Sequence, residues 1–208
     1  MALPTTGHPL STESLLEARH KRLDPNTSYR LKDGPSSVYG LDYASASEPE
    51  VNEQEMSFIL PFASGQRRDG VGDLLEVGGI DCSRHRENPL VLFDHGKQVQ
   101  LPLGKAEDPD TGEYTVEIDA IAKEARAKVF IYRGKGAAGA DRKDEYNHAL
   151  FCEQVFDLWR QKFIRAGSIG YSVVKALPMR ADSDTGVPPG LHRRSVLMLE
   201  CSAVGLPA

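Results

Sequence analysis

The sequence predicts a mainly β protein with some helix, an α+β chain forming a small closed or nearly closed barrel with one main helix. Three observations carry that expectation. Short apolar runs recur from Glu55 onward in the 208 residues, separated by breaks that contain Gly and Asp. A single stretch has a strong helical period. A content of 40% hydrophobic residues is enough for one good core plus an appendage.

Residues 1–52 read as an N-terminal extension or linker, partly disordered, and residues 53–208 as the folded domain. Within the extension, Ser11 or Thr12 caps a short expected helix that ends near Leu23, with Leu15, Leu16 and Leu23 as its apolar contacts. Asp33-Gly34-Pro35-Ser36-Ser37 and Ala44-Ser45-Ala46-Ser47-Glu48-Pro49-Glu50 follow; small polar and turn-forming residues bury little surface. The extension is thus either a loose tail or a docking or autocleavage segment.

From Glu55 the texture becomes strand-like, in Met56-Ser57-Phe58-Ile59-Leu60, residues 74–80 and residues 90–93. Asp108-Pro109-Asp110-Thr111-Gly112 is turn chemistry, so residues 101–106 and 114–121 are expected to pair as a hairpin. In its second arm Tyr114, Val116, Ile118 and Ala120 share one face, and Thr115, Glu117 and Asp119 the other. A helix is expected over residues 144–163, capped by Asp144, with Phe151, Val155, Leu158 and Trp159 as its core stripe. Strands over 168–176 and 195–204 follow, joined by a polar loop containing Pro188-Pro189-Gly190.

Composition excludes several classes. A net charge of −5 without a long basic run argues against a nucleic-acid partner. No apolar stretch approaches the ~20 residues of a membrane span, and the N-terminus lacks the basic and apolar segments of a signal peptide. Cys82, Cys152 and Cys201, an odd number without CxxC spacing, suit a reducing compartment. The expectation is a soluble intracellular protein without membrane contact.

Three segments carry chemistry: Leu92-Phe93-Asp94-His95-Gly96, Gly167-Ser168-Ile169-Gly170-Tyr171 and Leu199-Glu200-Cys201-Ser202-Ala203-Val204. A hydroxyl becomes a nucleophile when a base takes its proton, and the base works best when a third group orients it. Ser168 between two glycines, His95 at the end of an apolar run and Glu200 inside another are candidates for those roles. A bare carboxylate among apolar neighbours is costly, so Glu200 calls for a partner such as an imidazole. Ser172 competes for the nucleophile and Asp94 for the acid, although adjacency to His95 in a strand would point Asp94 the other way. His148 fits a helix face, and His85 and His192 fall in polar loops.

These segments, with Pro89-Leu90-Val91 before His95, Leu101-Pro102-Leu103-Gly104 after it, and Pro207-Ala208 at the end, resemble the tailed-phage prohead maturation proteases. That serine peptidase family is related in fold to the herpesvirus assemblins. The resemblance spans about residues 55–208. It departs from the family at Gly96, where an acidic residue often stands, at an insertion over residues 133–145, and at Cys201 and Ala203, where larger aliphatics are usual. It implies a herpesvirus-protease-like fold and a catalytic set of His95, Ser168 and Glu200 with no cofactor. It further implies action inside the procapsid in the host cytoplasm, on the major capsid protein or scaffold and on the chain itself, with self-association left open. The non-enzymatic alternative is an inactive protease-like scaffolding component. Arg193-Arg194 have a loose analogy to the paired arginines of assemblin sites, against a simpler reading as a solvated pair.

Gly134-Lys135-Gly136-Ala137-Ala138-Gly139 fits GxGxxG literally, but Asp141-Arg142-Lys143-Asp144-Glu145 separates it from the apolar helix pattern. A phosphate cradle needs those glycines to open the helix, so a surface loop is expected instead of a dinucleotide site. Cys82 and His85 form one isolated pair, so no metal is expected.

Overall fold

In the computed structural model, the described residues are 9–10, 29–31, 40–45, 50–69, 72–96, 101–134, 143–184 and 186–205. Fifteen elements follow in order among them. They are β1 (Pro9–Leu10), β2 (Tyr29–Leu31), β3 (Gly40–Ser45), β4 (Val51–Asn52), β5 (Ser57–Ser64), β6 (Leu74–Leu75), β7 (Ile80–Asp81), α1 (Ser83–Glu87), β8 (Leu90–Phe93), β9 (Gly104–Lys105), β10 (Val116–Asp119), β11 (Glu124–Ile131), α2 (Lys143–Arg160), β12 (Ala166–Met179) and β13 (Gly190–Val204). The protein is mainly β with a few helices.

The strands make one sheet in the order β1-β2-β12-β13-β8-β9-β11-β5-β4, with β10 on β11, β3 on β12, and β6 and β7 on β13. Among the described residues this path is open, ending at β1 and β4. Its spine is the long antiparallel pair β12–β13, in which Ser168 lies opposite Ser202 and Gly170 opposite Glu200. Parallel pairing of β8 with β13 sets Leu92 beside Ser202 and Phe93 beside Ala203.

Alternation decides which side chains enter the core. Phe58, Leu60 and Phe62 of β5 and Ala125, Ala127 and Val129 of β11 are buried. Helix α2 closes this layer through Cys152, Val155, Phe156 and Trp159, at the i, i+3, i+4, i+7 spacing of one helix face. The Trp159 and Phe58 rings lie 4.6 Å apart. Leu158, expected in the stripe, is 40% exposed, because the buried face turns through Phe156 instead. The helix begins at Lys143, so Asp144 sits inside its first turn and not at its cap.

Several expected boundaries shift. Residues 74–80 are interrupted by a 3-10 turn at Val77–Gly79, where a side chain on Gly79 would strike the carbonyl of Arg194. The turn at Asp108 forms, its carboxylate accepting the amides of Asp110 and Thr111 at 2.9 and 3.0 Å. Its second arm, however, pairs along β11 while β9 pairs with β8 and β11, so the expected hairpin opens after the Glu107–Tyr114 bridge. The last two strands are longer than expected, since tertiary pairing continues beyond the apolar pattern.

Parts of the N-terminal extension are paired. β3 lies antiparallel to β12 and β2 meets it further along, at Lys175 and Ala176. The expected helix after Ser11 and residues 135–142 of the GxGxxG loop lie outside the described residues.

Candidate active site

β8 ends beside Ala203, and the chain then turns through Asp94–Gly96. Three successive residues are left-handed, with φ of 45° at Asp94, 56° at His95 and 68° at Gly96. Such φ values are uncommon outside glycine and cost on the order of 1–3 kcal/mol at a non-glycine residue, so surrounding contacts must hold them. Glycine at position 96 suits the third of them, which gives a physical reason for its presence there. Asp94 therefore belongs to a turn, where strand alternation does not set its side-chain direction.

The holding contacts come from β13. The His95 backbone N–H donates to Ser202 Oγ at 3.2 Å, and its Nδ1 lies 2.6 Å from Glu200 Oε1. The Ser202 hydroxyl donates to the other carboxylate oxygen, Oε2, at 2.5 Å. Both Glu200 oxygens are thus engaged, and its side chain is only 14% exposed. A carboxylate accepts, so Nδ1 carries the ring proton and the lone pair of the neutral ring lies on Nε2. His95 Nε2 is buried and has no hydrogen-bond partner among the described residues.

Ser168 Oγ is likewise buried and without a partner among the described residues, so the structure brings His95 and Glu200 into contact and leaves Ser168 unbonded to either. Ser168 nevertheless stands opposite Ser202, the residue that ties Glu200 to the His95 turn. Ser172 pairs with Leu197 and lies four residues further along the strand, roughly 13 Å away at strand rise. The glycines around Ser168 do not open an approach to it. A Cβ on Gly170 would overlap Glu200 Oε1, and one on Gly167 would overlap the carbonyl of Pro61. Their missing side chains make room for the protein's own groups.

Ser202 is a site residue that the sequence does not single out. Period-2 alternation from Glu200 was the available signal, since it puts both residues on one face. Gly170 opposite Glu200 was a second signal, visible only once the register was known.

The other histidines among the described residues are engaged. His85 was expected in a polar loop but lies in α1 and is 1% exposed. Its Nε2 faces the carbonyl of Leu90 at 3.0 Å and therefore carries the proton, so Nδ1 accepts from the Tyr114 hydroxyl at 2.8 Å. Burial lowers its pKa and raises that of Tyr114. This pair fixes the start of β8, the strand that delivers His95. His192 lies in β13, its Nε2 3.1 Å from Glu76, and His148 meets the carbonyl of Pro102 at 2.8 Å.

Arg193 is also not the solvated residue expected. It is buried, ion-paired with Asp73 and bonded to the Tyr171 hydroxyl, while Arg194 is half exposed near Glu76. Burial works against its charge, but Tyr171 and Asp73 more than offset this and raise its pKa. The two buried thiols are quiet: burial pushes Cys201 up, and Cys152 up to about 12. No group of side chains suited to a metal occurs among the described residues.

No protein-family model matches the chain, and no curated protein or solved structure matches it either. Among the described residues no helix is long and apolar enough to cross a membrane.

Proposed function

We propose that the chain is a serine endopeptidase in which Ser168 is the nucleophile, His95 the general base and Glu200 the group that orients the imidazole. The observation that carries this reading is the state of His95. Glu200 holds Nδ1 and its proton, leaving the Nε2 lone pair in a buried place with no partner among the described residues. In the reaction Nε2 takes the Ser168 proton as Oγ bonds to the peptide carbonyl carbon. Collapse of the tetrahedral adduct breaks the C–N bond, and Nε2 returns the proton to the leaving amine. Water then attacks the acyl ester through the same base and frees Ser168. Glu200 offsets the imidazolium charge throughout.

The motif resemblance supports a role in prohead maturation, inside the procapsid, on the major capsid protein or scaffold, with a fold related to the assemblins. One observation favours the second reading, an inactive scaffolding component: Ser168 is wholly buried and does not bond to His95. Catalytic hydrogen bonds are often long before substrate arrives, so this does not outweigh the His95–Glu200 arrangement. Incubating the purified chain and reading its mass decides between them. Self-shortening that Ser168→Ala and His95→Ala both stop, with folding intact, is expected. Cleavage that survives in folded Ser168→Ala removes the assignment and moves the test to Ser172.

A further inference from the structure

Strand β3 lies along the outer edge of β12 in a specific register. Ala166 pairs with Ser45, Ser168 with Tyr43 and Tyr171 with Gly40, antiparallel throughout. The inner edge of the same segment is held by β13. Every residue of β12 from Ala166 to Val173 is buried. An antiparallel neighbour places its backbone roughly 4.5–5.5 Å from the residue it faces. Whatever strand occupies this edge therefore has its peptide groups next to Ser168.

We propose that the outer edge of β12 over residues 166–171 is a docking site for an extended peptide, and that residues 40–45 are its built-in occupant. The proposal rests on the protease reading, since a substrate strand at this edge lies against the proposed nucleophile. Adding a strand to a sheet edge is a general mode of peptide capture: main-chain hydrogen bonds supply affinity and alternate side chains supply selectivity. Here the chain itself occupies that edge. Removing β3 would leave the outward-facing β12 amides and carbonyls of this stretch unpaired, a state that invites another strand. Tethered on the same chain, β3 competes at a local concentration in the millimolar range for a short linker. A dilute peptide loses that competition, whereas a substrate concentrated on an assembly exchanges with β3.

The test uses the full chain in two forms. Asp42→Pro with Tyr43→Pro removes backbone donors at consecutive positions of β3, so the pairing fails whichever of them bonds to β12. Ser45→Cys with Ala166→Cys joins facing positions, so oxidation locks β3 in place and a reductant frees it. The probe is a fluorescent synthetic peptide of residues 38–48, read by anisotropy. At least about tenfold tighter binding to the proline form than to wild type is expected, and at least about tenfold weaker binding to the oxidised lock than to the reduced one, because occupancy reduces apparent affinity by the competent fraction. Equal affinity in the two states of the lock overturns the proposal, and that comparison stands even if the proline form fails to fold. A small fluorophosphonate, whose fluoride Ser168 Oγ would displace, tests the protease reading separately because it needs no strand. Peptide binding in the expected order with no labelling of Ser168 keeps the docking edge and removes the nucleophile. Labelling together with equal peptide affinities does the reverse.

Discussion

Glu200 holds the His95 turn through two different contacts, and mutation separates them. Glu200→Gln replaces the acceptor that fixes the Nδ1 proton, so the ring loses both its orientation and the charge that offsets imidazolium. Turnover should fall by roughly 10²- to 10⁴-fold with little change in KM. Ser202→Ala keeps the carboxylate but strands Oε2 and the His95 amide. Losing partners of buried polar groups costs about 1–3 kcal/mol, so a smaller drop in turnover and a lowered Tm should appear together. Steady-state kinetics on a peptide substrate checks both; a Glu200→Gln enzyme with unchanged kcat would return Glu200 to a structural role. The Gly170 position gives an independent check. A methyl there competes with Glu200 Oε1 for space, so Gly170→Ala should lower turnover with Glu200 and His95 both still present.

At the scale of elements, α2 is joined to the sheet by a few large contacts. Trp159 is fully buried against Phe58, and Phe156 lies at 6.5 Å from the same ring. Truncating a buried aromatic costs about 3–5 kcal/mol, partly through the cavity it leaves. Trp159→Ala should therefore lower Tm by about 6–20 °C, at 2–4 °C per kcal/mol for a chain of this size. Calorimetry reads this directly. A shift of under 2 °C would mean that α2 contributes little to the cooperative core. Leu158, on the exposed side of the same helix, should tolerate replacement by Gln with a far smaller shift.

For the whole molecule, buried His85 makes stability depend on pH. Its folded-state pKa lies below the ordinary 6.5 because burial disfavours the charged ring. Between those two values the unfolded chain binds more protons than the folded one, so stability falls as pH drops from about 6.5 toward the folded value. Above 6.5 both states are neutral at this site and it adds no slope. Urea unfolding at pH 7.5 and 5.5 should show the loss. His85→Asn should be less stable at both values but with a shallower difference between them. An undiminished slope in that variant would assign the acid sensitivity to other groups.

The local parts of this protein were legible from its residues. Turn chemistry at Asp108, the strand alternation of β10 and the helical period around Trp159 depend on neighbours in sequence, which fix φ preferences and side-chain direction. The reading of Glu200 as a carboxylate in need of a partner was also local, because desolvation cost follows from the apolar residues flanking it. Register was not local. That Ser168 faces Ser202, that Gly170 makes room for Glu200, and that β8 runs parallel to β13 and then turns left-handed at His95 are products of long-range pairing. The burial of His85 and Arg193 has the same origin, since their partners Tyr114 and Asp73 lie far along the chain. So does the seat of β3: Gly40–Ser45 lies in the stretch that reads as a tail, yet backbone hydrogen bonding to an open strand edge is indifferent to side chains and gave it a place in the sheet.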